Sequence, residues 1–478
     1  MKKIAGVTLV IIFFLFWESM NAQNRVLDNF TGKWYGDLIV SPKFKLKIAF
    51  EISKLNSGEY DAVMHSVDQK SYNLTVDKIK VSSDSLYMQI KMMGAIYSGR
   101  ACDDTTIIGA FNQTNGKEKQ LNLKKCDTFP FHIIKRPQEP KKPYPYVSED
   151  VSFLNSKANI ILRGTLTKQS QVKNQPAVVL ISGSGPSDRN QTIFGHKTFL
   201  VLADYLTRNG FTVLRYDDRG AGESEGNFVK ATIKDHADDA SFAVEYLKSR
   251  GDVDPKRIGV IGHSLGAEIA PIVATINPNI SFLVLMAGAA LPLKDIIFEQ
   301  CEAIFSSMGI SAEGISLNRR ILETTMEIFR ASVNDSIAIL DIKNNLASFD
   351  TQVLKLSKND VDKLELSVPL KISDYSKLLL PFMRYDLFYN PTETLKCVKC
   401  PVYAISGDKD IQVLPHNLIL IEKALVSAGN KRVTTKLYKD KNHLLQSCIK
   451  GSPDEYGEIE ESISEEVIFD LIDWLKRR

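Results

Sequence analysis

Ile258-Gly259-Val260-Ile261-Gly262-His263-Ser264-Leu265-Gly266-Ala267 decides how the chain is read. A β-branched apolar run leads into Gly-His-Ser-Leu-Gly, and Ala267-Glu268-Ile269-Ala270 continues as a helix-like stretch. A nucleophile elbow needs this context: a strand turning sharply into a helix with a serine at the tip. Gly262 and Gly266 lack the Cβ atoms that would collide across so tight a turn. The helix start after Ser264 offers unpaired N–H groups and a positive dipole end, both favourable to negative charge beside the serine. With Gly and Ser each near ~7% of residues, G-x-S-x-G arises by accident in roughly one chain of this length in seven. The pentapeptide alone is therefore weak, and its strand–turn–helix setting carries the weight.

Working outward, strands and helices alternate. Ala177–Ser182, Thr212–Tyr216, Arg257–Gly262 and Phe282–Met286 are short Val/Ile/Leu-rich runs. Between them Thr198–Arg208 and Ile233–Arg250 show the spacing of amphipathic helices. Apolar strands between helices predict a mostly parallel sheet covered on both faces. Two strands, Val151–Leu154 and Asn159–Thr167, open this domain. The alternation stops near Leu291, and helical patterns at Ile296–Met308, Leu317–Arg330, Asp335–Leu346 and Tyr375–Tyr389 fill the chain to about Leu395. Strands Val402–Ser406 and Thr434–Tyr438 resume the sheet, and a helix at Ile463–Lys476 closes it. An insertion of roughly a hundred residues between two sheet strands lies above the edge where such sheets bind ligands, so residues 291–395 are expected to form a lid.

Upstream, Phe30–Lys135 reads as all-β. Leu46, Ile48, Phe50 and Ile52 alternate with Lys45, Lys47, Ala49 and Glu51, a two-residue period. Similar runs at Tyr60–His65, Leu86–Ile90, Ile107–Phe111 and Gln120–Leu123 are separated by turn residues such as Asn56-Ser57-Gly58 and Asn115-Gly116. About eight strands in ~100 residues predict a small barrel or sandwich. His65 and Trp34 are read as packing residues, and the domain's open roles are binding an unidentified partner or bracing its neighbour. Lys135–Tyr146 holds four prolines and reads as a semi-rigid linker. The expected organisation is a leader at 1–22, an all-β domain at 23–136, a linker at 137–147 and an α/β domain at 148–478.

The leader rests on Lys2 and Lys3, the apolar run Ile4–Trp17 and the small residue Ala22 before Gln23, the pattern of a cleaved secretory signal. About 14 apolar residues fall short of the ~20 that span a bilayer. A periplasmic or secreted protein starting near Gln23, with no membrane span after cleavage, is expected. The 478 residues carry a net charge of +3 and 44% hydrophobic residues, so nothing in the charge points to nucleic acid. Of the six cysteines, Cys102 and Cys126 flank neighbouring strand-like stretches and are candidates to pair in an oxidising compartment. Cys397-Val-Lys-Cys400 has no second pair to complete a zinc site and precedes a strand, so a structural role or none is expected.

A serine used for acyl transfer needs a base, an acid to orient it and an oxyanion hole. His443, in the loop after the last strand, is the expected base, with His416 as its competitor. The preceding strand ends in Ser406-Gly407-Asp408-Lys409-Asp410, which offers two acids. The oxyanion donors are expected from Leu265 N–H and from Ser184 or Gly185 in Ile181-Ser182-Gly183-Ser184-Gly185-Pro186-Ser187-Asp188-Arg189-Asn190. That glycine-bearing loop lacks the Gly-Lys-Ser/Thr ending of a phosphate loop. The order Ser, Asp, His is that of the α/β-hydrolase triad.

On Gly183–Arg189, Arg215–Ser224, Gly262–Gly266, Gly407–Asp410 and Asn442-His443, residues 150–478 resemble the α/β-hydrolase superfamily. More narrowly they resemble bacterial secreted carboxylesterases with a β-rich N-terminal domain. Gly32-Lys33-Trp34-Tyr35-Gly36 and Ser66-Val67-Asp68-Gln69 are similar to that accompanying domain. The resemblance implies a serine ester hydrolase acting through an acyl-enzyme on small to medium acyl esters, with no metal or organic cofactor. It gives Gly-x-x-Asp as the acid's spacing, and so selects Asp410 beside Ser264 and His443. It assigns a structural role to the Asp-Arg-Gly-x-Gly-x-Ser stretch. A peptidase of the same fold, or a binding protein that kept the fold, are the alternatives. The short N-terminal region without blade repeats speaks against a propeller-bearing peptidase, and the complete triad speaks against a binding protein.

Overall fold

The computed structural model describes residues 30–41, 44–55, 57–69, 71–113 and 116–478. The expected leader and the turn residues Asn56 and Asn115 lie outside the described residues. The chain divides into two compact units, one ending at Lys135 and the other running from Arg136 to Arg478.

The first unit is a single ten-stranded antiparallel sheet among the described residues. One end of its strand path is Ser71–Thr75 and the other is Lys78–Val81. Val76 N–H donates to Ala62 in one terminal region, and Asp77 N–H donates to Gln89 in the other. Two successive residues thus join opposite ends of the path, and the sheet curls into a barrel. Its interior is filled by alternate residues such as Trp34, Phe50, Met64, Met88, Tyr97 and Phe111. The end strands have five and four residues, too few alternations to stand out in the sequence.

The second unit is built on an eight-stranded sheet: β1 (Val147–Asn155), β2 (Ile160–Lys168), β3 (Gln175–Ile181), β4 (Thr212–Tyr216), β5 (Val253–His263), β6 (Leu283–Met286), β7 (Val402–Gly407) and β8 (Val433–Tyr438). The spatial order is β1-β2-β4-β3-β5-β6-β7-β8. The β1–β2 and β2–β4 pairs are antiparallel, and every pair from β4 to β8 is parallel. Both faces are covered, which is why the central strands carry unbroken apolar runs such as residues 177–181 and Leu283–Met286. Val179, Val260, Leu285 and Ala404 pack with helices Ile233–Lys248, Leu265–Ile276 and His416–Ser427 on one face. Val178, Ile261, Val284 and Ile405 pack with Thr198–Arg208 and Glu465–Leu475 on the other.

Between β6 and β7 the insertion is helical and has a core of its own, with Phe298, Leu317, Ile321, Phe329, Ile342 and Leu346 at its centre. The expected helix Tyr375–Tyr389 is not continuous. A 3-10 segment, Ile372–Leu379, stops before Pro381, and a short α-helix covers Met383–Asp386. Proline has no N–H to donate and its ring clashes with the preceding turn. None of the helices among the described residues is long and apolar enough to cross a membrane.

Two expectations are corrected. Cys102 and Cys126 do not pair: all six cysteines are free. The proline-rich stretch, expected to be a semi-rigid linker, is fixed to the second unit from Arg136 onward. Arg136 is buried and donates to four main-chain carbonyls, those of Phe194, Gly195, Gly457 and Ile459. Gln138 donates to Ile463, Glu139 pairs with Lys197, and Tyr146 donates to Asp204. Five carbonyls, the Asp204 carboxylate and the Lys197 ammonium fix this segment to the second unit, whatever stiffness proline adds.

Candidate active site

The carboxyl ends of β5, β7 and β8 bring three predicted residues together. Ser264 follows β5 and takes φ 55° and ψ −120°, a conformation costly for a residue with a Cβ. It is imposed by crowding. A Cβ on Gly262 would come within 2.0 Å of the Gly266 carbonyl oxygen, and one on Gly266 within 2.2 Å of the Ile181 carbonyl oxygen. Strand, elbow and helix therefore close up only with glycine at both places.

Ser264 Oγ lies 3.0 Å from His443 Nε2, and His443 Nδ1 lies 2.8 Å from Asp410 Oδ2. A carboxylate only accepts, so Nδ1 carries the ring proton and Nε2 is left to accept from the serine hydroxyl. Asp410 is 1% exposed. Its other oxygen accepts the N–H groups of Gln412 and Val413, both at 2.9 Å, so both oxygens are committed before any substrate arrives. Asp408 is exposed, and its N–H donates to Tyr438 at the end of β8. The acid and base loops touch through main chain: Lys409 N–H donates to Lys441, and a Cβ on Gly407 would meet that same carbonyl oxygen at 2.1 Å. The competitor His416 is drawn away, with Nε2 3.2 Å from Glu299.

The loop after β3 comes up against the elbow. A Cβ on Gly183 would be 3.2 Å from the Ser264 Cβ. Gly185 follows with φ 90° and open space around it. Leu265 begins the elbow helix, where the first N–H groups have no intrahelical acceptor. The loop is anchored from below by Asp218, whose carboxylate accepts from Ser182 Oγ at 2.8 Å and from Ser187 N–H at 2.9 Å. Burial pushes the Asp218 carboxyl up to about 7, against those hydrogen bonds and with Asp239 and Asp217 adding to the rise. Arg189 grips Asp217 through two side-chain nitrogens, at 2.6 and 3.0 Å. The Asp-Asp-Arg-Gly stretch is thus a brace for the loop, as its expected structural role required.

Sequence reasoning passed over several of these residues. Asp218 and Gly183 were visible only as parts of motifs. His263, seen in the sequence only as part of the elbow motif, has its ring bonded on both sides, to Gln191 Nε2 at 2.7 Å and to the His443 carbonyl oxygen at 2.9 Å. A polar residue inside an otherwise apolar strand end was the available signal. Asn442 shapes the base loop, its Oδ1 accepting from Leu444 and Gln446 N–H.

Chemically, the arrangement can deprotonate a serine hydroxyl and hold the resulting imidazolium against a buried carboxylate. Residues 196–370 match the model of a family described as "Serine aminopeptidase, S33". A Thermotoga maritima protein named Esterase EstD is 29% identical over 61% of this chain and 61% of its own length. The chain thus spans about three fifths of that relative. A Shewanella hanedai acyl transferase is 24% identical over 49% of this chain and 71% of its own. Among solved structures, the Pyrococcus furiosus esterase Pf2001 is 17% identical, with 73% of this chain and 98% of that one covered, at a TM-score of 0.43; that likeness is too loose to bear weight. By its strand order and the motifs at its sheet edge, the second unit has the α/β-hydrolase fold, and the chain resembles the esterases of that superfamily.

Proposed function

We propose that the protein is a serine carboxylic ester hydrolase working through an acyl-enzyme on small to medium acyl esters. The observation that carries the reading is the unbroken chain Ser264–His443–Asp410 on a strained elbow. His443 Nε2 takes the Ser264 proton as the oxygen attacks the ester carbonyl carbon. The oxyanion is received by Leu265 N–H and by an N–H of Ser184 or Gly185. Collapse breaks the bond to the alcohol oxygen, which leaves with the proton from His443. The insertion between β6 and β7 serves as the lid that shapes the acyl pocket, and the leader directs export, with a mature start near Gln23.

The match to a serine aminopeptidase family favours one second reading, an amide-cleaving enzyme with the same triad. Purified protein assayed on short-chain p-nitrophenyl esters beside aminoacyl-arylamides separates the two. Faster ester turnover, abolished in Ser264→Ala, is expected. Faster arylamide turnover would overturn the esterase reading, and no labelling of Ser264 by a fluorophosphonate probe would overturn both.

A further inference from the structure

In the hydrolase cycle Ser264 holds His443 only part of the time. Once Ser264 Oγ carries the acyl group it has no proton to donate, and the 3.0 Å bond to His443 Nε2 is gone. Deacylation then asks His443 to bind and deprotonate a water at the same place without that guide. A tie from the elbow that does not involve the hydroxyl is needed at this stage.

His263 supplies one. It directly precedes Ser264 and is 4% exposed. Its Nε2 lies 2.9 Å from the main-chain oxygen of His443. A carbonyl only accepts, so this nitrogen carries the proton, and Nδ1 has a lone pair directed at the Gln191 amide 2.7 Å away. Gln191 comes from the loop after β3, held by its own N–H to the Asp188 carbonyl. One ring therefore joins the oxyanion-side loop, the nucleophile strand and the base loop. Its centroid is 5.0 Å from that of His443. A charge there would oppose the imidazolium that forms on His443 in each half-reaction, but burial, with His443 adding to it, pushes the His263 pKa down to about 3. The ring stays neutral and keeps the single tautomer that this bonding requires.

We propose that His263 is a positioning residue that holds His443 in place while Ser264 is acylated, so that its loss slows deacylation more than acylation. The proposal rests on the acyl-enzyme reading above. In the step concerned, the oxygen of water bonds to the acyl carbon while His443 Nε2 takes its proton. The carbon–Ser264 bond then breaks, the serine oxygen recovers that proton, and the carboxylic acid leaves.

The test is burst kinetics of the full chain with p-nitrophenyl acetate, in wild type, His263→Phe, His263→Gln and Gln191→Leu, with acetyl-enzyme followed by intact mass. In His263→Phe the steady-state rate should fall on the order of 10²-fold, the burst rate by much less, and acetylated Ser264 should accumulate. His263→Gln should recover most of the loss, because its Nε2 is as many bonds from Cα as the histidine Nε2 and can donate to the same carbonyl. Gln191→Leu, which leaves the ring without its second partner, should show the same imbalance to a smaller degree. Equal losses in burst and steady state across the variants, or no rescue by Gln, would mean that His263 only packs, and would overturn the proposal while leaving the hydrolase reading intact. If His263→Phe does not fold, the Gln and Leu variants decide, and unchanged partition in Gln191→Leu with loss in His263→Gln overturns it. A wild-type chain that never acetylates at Ser264 overturns both readings.

Discussion

Two buried histidines, one in each unit, show what burial alone does not say. His65 in the barrel is 0% exposed and His443 at the sheet edge is 5% exposed. His443 has both ring nitrogens bonded, between a serine and a carboxylate. His65 Nδ1 accepts from Asn73 N–H at 3.2 Å, but Nε2 makes no hydrogen bond among the described residues and stands 3.9 Å from Glu51. Its ring lies against Tyr72 and Phe129. One histidine is wired into a path along which a proton can move, and the other fills space. The difference is in connectivity, and it predicts which substitutions are felt as chemistry and which as stability.

The largest effect is expected at the acid. In Asp410→Asn the amide oxygen can still accept from Gln412 and Val413, so the loop should keep its shape. The amide NH2 then faces His443 Nδ1, which forces the ring proton onto Nε2 and blocks the serine. By analogy with other triads kcat should fall on the order of 10⁴-fold. Asp408→Asn, with its exposed side chain, should turn over near the wild-type rate. Ester hydrolysis by the two variants checks this, and a dead Asp408→Asn beside an active Asp410→Asn would reverse the assignment.

The triad was legible in the sequence because each member occupies a fixed place after a strand, and apolar runs reveal strands. The choice between Asp408 and Asp410 came from a spacing carried by resemblance. The physical reason is main chain: Lys409 and Gly407 are pressed against Lys441, which turns Asp408 outward and Asp410 inward. His263 stood out as a polar residue at an apolar strand end, but its role was not legible, because its partner carbonyl is 180 residues away and carbonyls leave no mark in a sequence. Nor was the anchoring of Arg136, whose acceptors are also carbonyls. Proline content signalled stiffness there, while the binding is done by an arginine that looked like linker charge.

That anchoring gives the next effect. A chain beginning at Lys135 keeps the Arg136 bonds, and one beginning at Val147 loses them with Gln138, Glu139 and Tyr146. Hydrogen bonds from a charged donor contribute about 1.5–3 kcal/mol each at most. The shorter chain should therefore melt several degrees lower, as differential scanning calorimetry of the two would record. Equal melting temperatures would mean that the segment is held without stabilising what holds it.

The sheet edge should also carry a pH signature opposite in sign to the barrel's. Asp218 is raised to about 7 in the folded protein, and Glu268, buried beside Asp386, to about 8. Both raised values mean that the folded state binds protons more tightly than the unfolded chain. Their contribution is complete below the ordinary carboxylate range and is lost as pH rises through about 7 and 8. Asp218→Asn keeps an acceptor for Ser182 and Ser187 but cannot ionise. Its melting temperature should fall less than that of wild type between pH 5 and pH 8. Parallel pH curves would show that Asp218 is ionised throughout.

The smallest effect, with the opposite sign, is expected in the barrel. Burial lowers the His65 pKa to about 4, so the folded barrel resists protonating a ring that the unfolded chain protonates near 6.5. The stability tied to the neutral ring is complete above that value and is lost as pH falls through about 4. His65→Phe keeps the contacts with Tyr72 and Phe129 but removes the acceptor for Asn73 N–H. At pH 8 it should cost about 1 kcal/mol. At pH 5 the deficit should shrink, because wild type has begun to pay for a proton it cannot bind and the variant has not. Ester turnover should be unchanged at both values, since nothing that His65 touches belongs to the triad. Denaturant unfolding of the two chains at each pH, beside an esterase assay, measures all three. A deficit that grew toward acid would mean that His65 is charged in the folded barrel, with Glu51 as its counter-ion, and a loss of turnover would give the barrel a part in the chemistry.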